Sequence, residues 1–225
     1  MIGDPIPVHI LALQMIANVT PSLAKALGLD TRYSAIGLIS TDCDDATYIA
    51  LDEATKATDV EVVYARSLYA GAANASTRLA GEVIGILAGP SPSEVSSGLN
   101  ACVACIENGV CFHAADEAGE VPYLAHCVSS TGTYLSKLAG IRTGEAIAYL
   151  IAPPVESIFA LDAALKASDV ELVTLFEPPS ETNFGGGLLT GTQSACAAAC
   201  EAFAQAVQAV AAVQDLEAFR NDSLG

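Results

Sequence analysis

The sequence predicts an α+β fold of two tandem units, each an antiparallel sheet packed with helices, on the strength of two observations. One stretch recurs: residues 50–63 reappear as residues 160–173, at an offset of 110, with 10 of 14 positions identical. The hydrophobic pattern around each copy also has the same order, which is strand, short helix, strand, helix, strand, loop, strand and helix. A chain of 225 residues suits two units, which we place at 1–109 and 110–225.

The elements of the first copy follow from hydrophobic periodicity and from residues that begin or end helices. Thr20-Pro21 predicts the start of a short helix that Gly28 ends, and Asp42 or Asp44 is expected to cap the next helix. We expect strands at 8–19, 35–40, 60–68 and 82–88, long helices at 42–57 and 93–108, and a loop at 69–81.

The second copy repeats this order. A short helix ends at Gly140, and Pro153-Pro154 begins the helix that matches 42–57. We expect strands at 110–115, 123–128, 146–152, 170–177 and 188–189, long helices at 153–168 and 192–213, and a loop at 178–187.

Composition restricts the function classes. Hydrophobic residues make up 52% of the chain and charged residues only 16%, which favours burial of surface in an assembly. The net charge is −17 with nine basic residues, which argues against nucleic acid and against anionic membranes as partners. We expect neither a spanning helix nor a signal peptide, and a location in the cytosol.

Cysteine and histidine do not predict a metal site. The seven cysteines lie in apolar patterns and are expected to be reduced and buried, and Cys102-Val-Ala-Cys105 is a lone pair. His9, His113 and His126 are not spaced with a cysteine pair as a zinc site requires. We therefore expect no bound metal and no cofactor.

Several phrases, in their order and spacing, resemble a known family over nearly the whole chain. They are Gly37–Ser40, Asp44–Ile49, Asp52–Lys56, Glu61–Tyr64, Arg66–Ala73, Ile106–Gly109, Ala152–Pro154, Pro179–Asn183 and Leu189–Gly191. The chain is similar to bacterial microcompartment shell proteins with two circularly permuted shell domains, of the L type found in ethanolamine utilisation.

The resemblance implies a structural role without catalytic activity. It implies a homotrimer that looks like a hexamer, a flat tile in a microcompartment shell within the cytoplasm, and a central pore that opens and closes. The implied partners are other shell proteins, ethanolamine and the encapsulated ethanolamine ammonia-lyase. Cobalamin, the cofactor of that lyase, is suggested as a ligand or passenger, although no residue in the sequence supports a site for it.

The acidic pair Asp44-Asp45 is the main functional candidate, because the second copy has Pro154-Val155 at those positions. One interpretation is structural, since acids in a first turn favour the helix dipole. The other is a carboxylate cluster that holds a small ammonium group. The resemblance implies the second use, in an ethanolamine site between the two domains formed by Asp44, Asp45, Glu82 and Phe112.

The predicted pore loops, 68–81 and 177–187, are equivalent in the two copies and rich in small residues. They suit either ordinary hairpin tips or loops that rearrange. The resemblance implies that they meet at the pore, which makes Tyr69, Asn183 and Phe184 candidates for the gate.

Three other functions are weighed against a shell protein. An EF-hand loop from Asp42 to Glu53 lacks its glycine, because Thr47 stands there. A hydrolase using Asp44 and Glu82 lacks a nucleophile motif. A cytosolic sensor that binds a small amine without building a shell is the remaining alternative.

Overall fold

The computed structural model describes residues 1–68, 82–178, 180 and 182–212. Contacts divide the chain into two compact units. The N-terminal unit comprises Pro7–Cys111 and Val128–Ala146, and the C-terminal unit comprises Met1–Ile6, Phe112–Cys127 and the chain from Ile147 onward. The boundary expected between residues 109 and 110 stays a prediction about the sequence repeat, because each compact unit also takes in a segment from the other copy.

The helices and strands follow one another along the chain in the predicted order. They are β1 (Pro5–Ile6), β2 (Ile10–Ile16), α1 (Pro21–Ala26), β3 (Ala35–Thr41), α2 (Asp44–Ala57), β4 (Glu61–Leu68), β5 (Glu82–Gly89), α3 (Pro92–Asn108), β6 (Phe112–Ala114), β7 (Pro122–Val128), α4 (Thr133–Ala139), β8 (Ala146–Ala152), α5 (Pro154–Ala167), β9 (Val170–Phe176), β10 (Gly185–Gly191) and α6 (Gln193–Ala212).

The N-terminal unit is a four-stranded sheet with two long helices packed on it. Its strand order is β2-β3-β5-β4, and each neighbouring pair is antiparallel. Helices α2 and α3 pack on each other and on the strands beneath them. The core includes Ile39, Leu51, Leu87 and Leu99, which come alternately from the sheet and the helices. Burial of these side chains is the main stabilising contribution to the unit.

The C-terminal unit repeats this sheet and extends it. Strands β7-β8-β10-β9 have the order of β2-β3-β5-β4, and β6 and β1 continue the sheet beyond β7. Helices α5 and α6 pack on each other and against β10 and β9. Tyr149, Leu150 and Phe203 are among its fully buried side chains. The two-layer α+β architecture predicted from the sequence is therefore confirmed in each unit.

Several details differ from the sequence-based expectation, among them β2, which spans Ile10–Ile16 instead of 8–19. Helix α2 begins at Asp44 rather than at residue 42, and the short strand β1 was not expected. Gly185 to Gly187, expected in a loop, form the first part of β10. Their backbone runs close to neighbouring segments, since a Cβ on Gly187 would lie 2.6 Å from the Thr174 carbonyl oxygen. Their glycines therefore serve close packing rather than loop flexibility.

Helix α6 is long and apolar enough to cross a membrane by length and composition alone. One such helix is weak support for a membrane span, because helices packed in a protein core pass the same test. Cys196, Cys200, Phe203 and Val207 form a buried face on α6, which packs on α5 and β10. This packing accounts for its apolar character.

Helix α4 belongs to the second copy in sequence but packs on α2 in the N-terminal unit. Both carboxyl oxygens of Asp52 accept hydrogen bonds from the start of α4. Gly132 N donates to Oδ2 at 2.6 Å, and Leu135 N donates to Oδ1 at 2.8 Å. Asp52 is fully buried, and it supplies the acceptors that the first amides of a helix lack.

Other contacts fix the same junction between α2 and α4. Thr133 N donates to Thr55 Oγ1 at 3.0 Å, and Lys56 Nζ donates to the Ser130 carbonyl at 2.9 Å. The ring of Tyr134 lies 6.1 Å from that of Tyr48, measured between centroids. Helix α4 is thus held by polar contacts along α2 and by an aromatic contact beside them.

Candidate functional site

The start of α2 is shaped by the residues between β3 and the helix. His9 holds Asp42: its backbone N donates to Oδ1 at 2.8 Å, and its ring Nδ1 lies 2.8 Å from Oδ2. The residue that caps α2 is Cys43, whose side chain makes no capping hydrogen bond. The prediction that Asp42 or Asp44 is the cap is therefore wrong, because the Asp42 side chain is hydrogen-bonded to His9, just before β2, and Asp44 is already helical.

Asp44 and Asp45 occupy the first turn of α2, and both are buried. Asp44 Oδ1 accepts a hydrogen bond from Asp45 N at 2.9 Å, which satisfies one of the amides that the helix start leaves without an acceptor. The positive end of the helix dipole favours negative charge at both positions. At the matching positions of α5 the chain has Pro154 and the exposed Val155, so only one of the two copies places acids here.

The acids lie in polar surroundings. Thr47 Oγ1 donates to the Cys43 carbonyl at 2.8 Å and lies 2.6 Å from Thr41 Oγ1. Across the described ranges, no buried side-chain nitrogen or oxygen lacks a hydrogen-bond partner. Buried carboxylates of this kind can bind an ammonium group by charge-assisted hydrogen bonds. The ammonium group must then replace an existing hydrogen-bond donor or use a further lone pair of the carboxylate oxygens.

Cys43, beside the acids, is not a nucleophile. Its thiol is completely buried, and burial raises its pKa well above the usual value, with a further contribution from the negative charges of Asp44 and Asp45. The thiol therefore stays protonated near neutral pH, and the thiolate is the reactive form.

Glu82 lies at the same end of the N-terminal unit as the two aspartates. It begins β5 and pairs with Leu68, and the next residue, Val83, pairs with Thr41 at the end of β3. Helix α2 begins three residues after Thr41. The strand register therefore places Glu82 at the same end of the sheet as the start of α2. Three of the four predicted ligand residues thus belong to one end of one unit.

The fourth predicted ligand residue, Phe112, belongs to the C-terminal unit. Its side chain is fully buried in β6, and its ring lies 5.9 Å from that of Phe184, with 31° between the ring planes. Phe184 N donates to Thr182 Oγ1 at 3.2 Å. A residue predicted for the ligand site therefore contacts one predicted for the gate. The roles of both stay predictions.

The remaining gate candidates are Asn183 and Tyr69. Asn183 is exposed at the end of the segment before β10. Tyr69 lies outside the described residues.

Sequence reasoning missed two residues that organise this region. Asp52 was regarded only as part of the duplicated frame, yet it accepts the two α4 amides. Burial raises the pKa of Asp52, and the hydrogen bonds from Gly132 and Leu135 oppose that rise. His9 was considered an ordinary polar residue, although it holds Asp42. The recurrence of Asp52 as Asp162 was the available signal, but it does not identify the partner.

The expectation of buried cysteines holds for Cys43, Cys102, Cys196 and Cys200, whereas Cys105, Cys111 and Cys127 are partly exposed. All seven are free. Burial raises the pKa of Cys102 and Cys105 to about 12 and that of Cys196 to about 11. Within the part of the chain that the structure describes, no three residues among His, Cys, Asp and Glu are grouped to hold a metal ion.

Known proteins with the same fold and similar sequences identify the family. A family model described as "BMC domain" matches residues 35–116. The bacterial microcompartment shell protein EutL of Clostridium perfringens (strain 13 / Type A) is 64% identical, over 94% of this chain and 97% of its own length. The protein of the same name from Salmonella typhimurium is 53% identical, over 92% and 95%.

Solved structures give the same result. The crystal structure of ethanolamine utilization protein EutL from Leptotrichia buccalis matches with a TM-score of 0.90 and 60% identity, covering 95% of this chain and 98% of that one. EutL from Clostridium perfringens matches with a TM-score of 0.91 and 62% identity, covering 96% and 100%. These relatives are named as shell proteins or utilisation proteins and not as enzymes. The chain belongs to the bacterial microcompartment shell proteins, in their tandem-domain EutL type, and its place is the microcompartment shell.

Proposed function

We propose that this protein is a trimeric, six-sided tile in the shell around ethanolamine-degrading enzymes, and that it binds ethanolamine at the start of α2. Two sheet-and-helix units per chain support the tile, because three such chains supply six units around one axis. The names of relatives more than 50% identical along nearly their full length support the ethanolamine pathway. Family membership favours this role over that of an amine sensor that builds no shell.

The observation that carries ligand binding is the buried pair Asp44 and Asp45 at the positive end of α2. Ethanolamine has an ammonium group and a hydroxyl, and carboxylates can accept hydrogen bonds from both. A purely structural role does not explain why two buried acids stand here when α5 begins with Pro154 and Val155. Glu82 adds a third carboxyl group at the same end of the unit.

Ligand binding is coupled in this proposal to a gated pore formed by the segments 69–81 and 177–184. Phe112 and Phe184 support the coupling, because their rings are in contact and Phe184 is the last residue of the second segment. A ligand that changes the position of Phe112 would change the surroundings of Phe184. It shifts the gate only if its affinity differs between the open and closed states.

The test is ethanolamine binding by the double variant Asp44→Asn, Asp45→Asn. Replacing carboxylates with amides keeps the shape and removes the charge. Hydrogen bonds to charged groups contribute about 1.5–3 kcal/mol each, so binding should weaken by at least tenfold. Calorimetric titration measures the affinity, and sedimentation verifies that the trimer remains.

Glu156→Gln is the matched control, because Glu156 is the acid in the first turn of α5. It should leave binding unchanged. Normal ethanolamine affinity in the double aspartate variant would show that the two acids only stabilise the helix start.

A further inference from the structure

A cavity of about 740 Å³ lies within the N-terminal unit, where α4 approaches the start of β4. Its walls come from the segment after α1, from the end of α2 with the start of β4, and from α4. The lining residues that carry a charge or an aromatic ring are Arg32, Tyr33, Asp59, Glu61, Tyr134 and Lys137. Ligand sites in proteins commonly have volumes of about 300–1,000 Å³, so this space suits a small organic molecule.

The wall formed by the segment after α1 and the start of β4 is negatively charged. Arg32 Nη1 donates to Asp59 Oδ1 at 3.5 Å, and Arg32 Nη2 donates to the hydroxyl of Tyr33. That hydroxyl donates in turn to Glu61 Oε2 at 3.2 Å. Burial raises the pKa of Tyr33, and the charge of Glu61 adds to the rise, so the phenol keeps its proton. One positive and two negative charges therefore leave this wall with a net charge of −1.

The wall formed by α4 carries a positive charge without a partner. Lys137 lies in the last turn of α4 and is exposed. No salt bridge or side-chain hydrogen bond between described residues involves its ammonium group. Lys56 on α2 differs, since its ammonium group donates to Glu53 and to the Ser130 carbonyl. Lys137 is therefore available to an anionic group of a ligand.

The charged groups of this cavity are only partly repeated in the second copy. Asp59-Val-Glu61 recurs as Asp169-Val-Glu171. Counting from the glycines that end α1 and α4, the positions of Arg32-Tyr33 are occupied by Gly144-Glu145. The acids thus belong to the duplicated frame, whereas the guanidinium and the phenol that hold them are specific to the first copy.

We propose that this cavity binds a small zwitterion, whose carboxylate or phosphate pairs with Lys137 and whose ammonium group pairs with Asp59 and Glu61. The two acids would repel a simple anion, and Arg32 and Lys137 would repel a simple cation. A molecule that carries both charges is attracted by both walls. The site goes beyond the proposed function and is separate from the start of α2, because Asp44 and Asp45 do not line the cavity.

The bound zwitterion would also fasten α4 to the sheet of the N-terminal unit. Helix α4 comes from the second sequence copy, and Lys137 and Glu61 lie on different walls of the cavity. A ligand that contacts both residues binds the folded protein and not the unfolded chain. Its binding should therefore raise the midpoint of thermal unfolding as the ligand concentration rises.

The test measures binding of zwitterions that differ in the separation of their charges, which are glycine, β-alanine, γ-aminobutyrate and ε-aminocaproate. At least one should bind in a calorimetric titration and raise the midpoint of thermal unfolding. Butyrate and butylamine, which carry one charge each, should bind at least tenfold more weakly than that zwitterion. O-phosphoethanolamine, compared with β-alanine, shows whether phosphate or carboxylate is the preferred anionic group.

Substitutions then locate the zwitterion on the protein. Lys137→Gln and Glu61→Gln should each weaken its binding by at least tenfold, because each removes one charged partner. Lys25→Gln is the matched control, since Lys25 on α1 is the counterpart of Lys137 and does not line the cavity. The double variant Asp44→Asn, Asp45→Asn should still bind the zwitterion after it has lost ethanolamine.

Two results would overturn this inference. One is that no zwitterion of the series binds, or that butyrate binds as tightly as the best of them. The other is that Lys137→Gln and Glu61→Gln both bind it as the wild type does. Either result leaves the ethanolamine site untouched, because that site is tested with a different ligand and different residues.

Discussion

The two sequence copies differ at single residues of the matching helices α2 and α5. Asp52 and Asp162 occupy equivalent positions on α2 and α5. Asp52 is buried and accepts hydrogen bonds from two backbone amides, whereas Asp162 is exposed and pairs with Lys166. The difference lies in what covers each helix and not in the helix itself. Asp44 and Asp45 show the reverse, a difference in sequence at equivalent positions. The two copies thus differ in two ways: in the burial of an identical residue at Asp52 and Asp162, and in residue identity at Asp44 and Asp45.

Asp52→Ala should lower the free energy of unfolding of the protein. The substitution leaves the buried amides of Gly132 and Leu135 without acceptors, at a cost of about 1–3 kcal/mol for each donor. Urea denaturation followed by circular dichroism measures the loss. Glu107→Ala, at an exposed acid on α3, is the control and should change stability by less than about 0.5 kcal/mol. A small effect of Asp52→Ala would mean that water replaces the carboxylate.

At this scale the sequence identified the acids but not all of their partners. The uneven occurrence of Asp44-Asp45 was visible because the repeat supplied an internal comparison. The role of Asp52 was not visible, because its partners lie 80 and 83 residues away. No local pattern encodes a contact at that separation.

Elements were predicted best where their ends are locally encoded. Pro21 begins α1, and Gly28 and Gly140 follow α1 and α4 in the left-handed conformation that glycine favours. The prediction was wrong for Gly185 to Gly187, because glycine is typical both of loops and of strands in close contact. It missed β1, since a two-residue strand exists only through its pairing with β6.

The packing of α3 on β3 depends on a glycine. A Cβ on Gly37 would lie 2.8 Å from side-chain carbons of Val95 and of Leu99. Gly37→Val should therefore destabilise the protein by about 1–3 kcal/mol, because the helix must move away from the sheet. Thermal unfolding measures the change.

Ala12→Val is the control for the added side chain. Ala12 is exposed on β2, where valine suits a strand and meets no packed helix. It should leave the midpoint of thermal unfolding almost unchanged. If Gly37→Val is equally harmless, α3 has room to shift, and the glycine is not required for packing.

The whole molecule combines strong negative charge with a surface suited to assembly. Each chain carries −17, so chains repel one another as they associate. Large apolar side chains are nevertheless exposed on α5, among them Phe159 at 58% and Ile158 at 48%, and apolar association does not depend on attraction between charges. The order of elements was predictable at this scale because it is duplicated. The exchange of segments between the two units was not predictable, because in the sequence each copy is one uninterrupted stretch.

Salt should therefore strengthen the assembly. Raising the ionic strength from about 0.01 M to 1 M shortens the screening length from about 30 Å to about 3 Å and removes most of the repulsion. Sedimentation at a series of sodium chloride concentrations should show trimers persisting at lower protein concentration as salt rises. Weaker association at high salt would mean that ion pairs between chains dominate the contact.

The exchange of segments also bears on how the protein is made. The amides that cover Asp52 come from residues 132 and 135, so the N-terminal unit is still incomplete when its own repeat has left the ribosome. Strand β1 is synthesised more than 100 residues before its partner β6. Domains usually fold in order during synthesis. Here each compact unit includes a segment of the other copy. Neither unit can therefore be complete until the second copy has been synthesised.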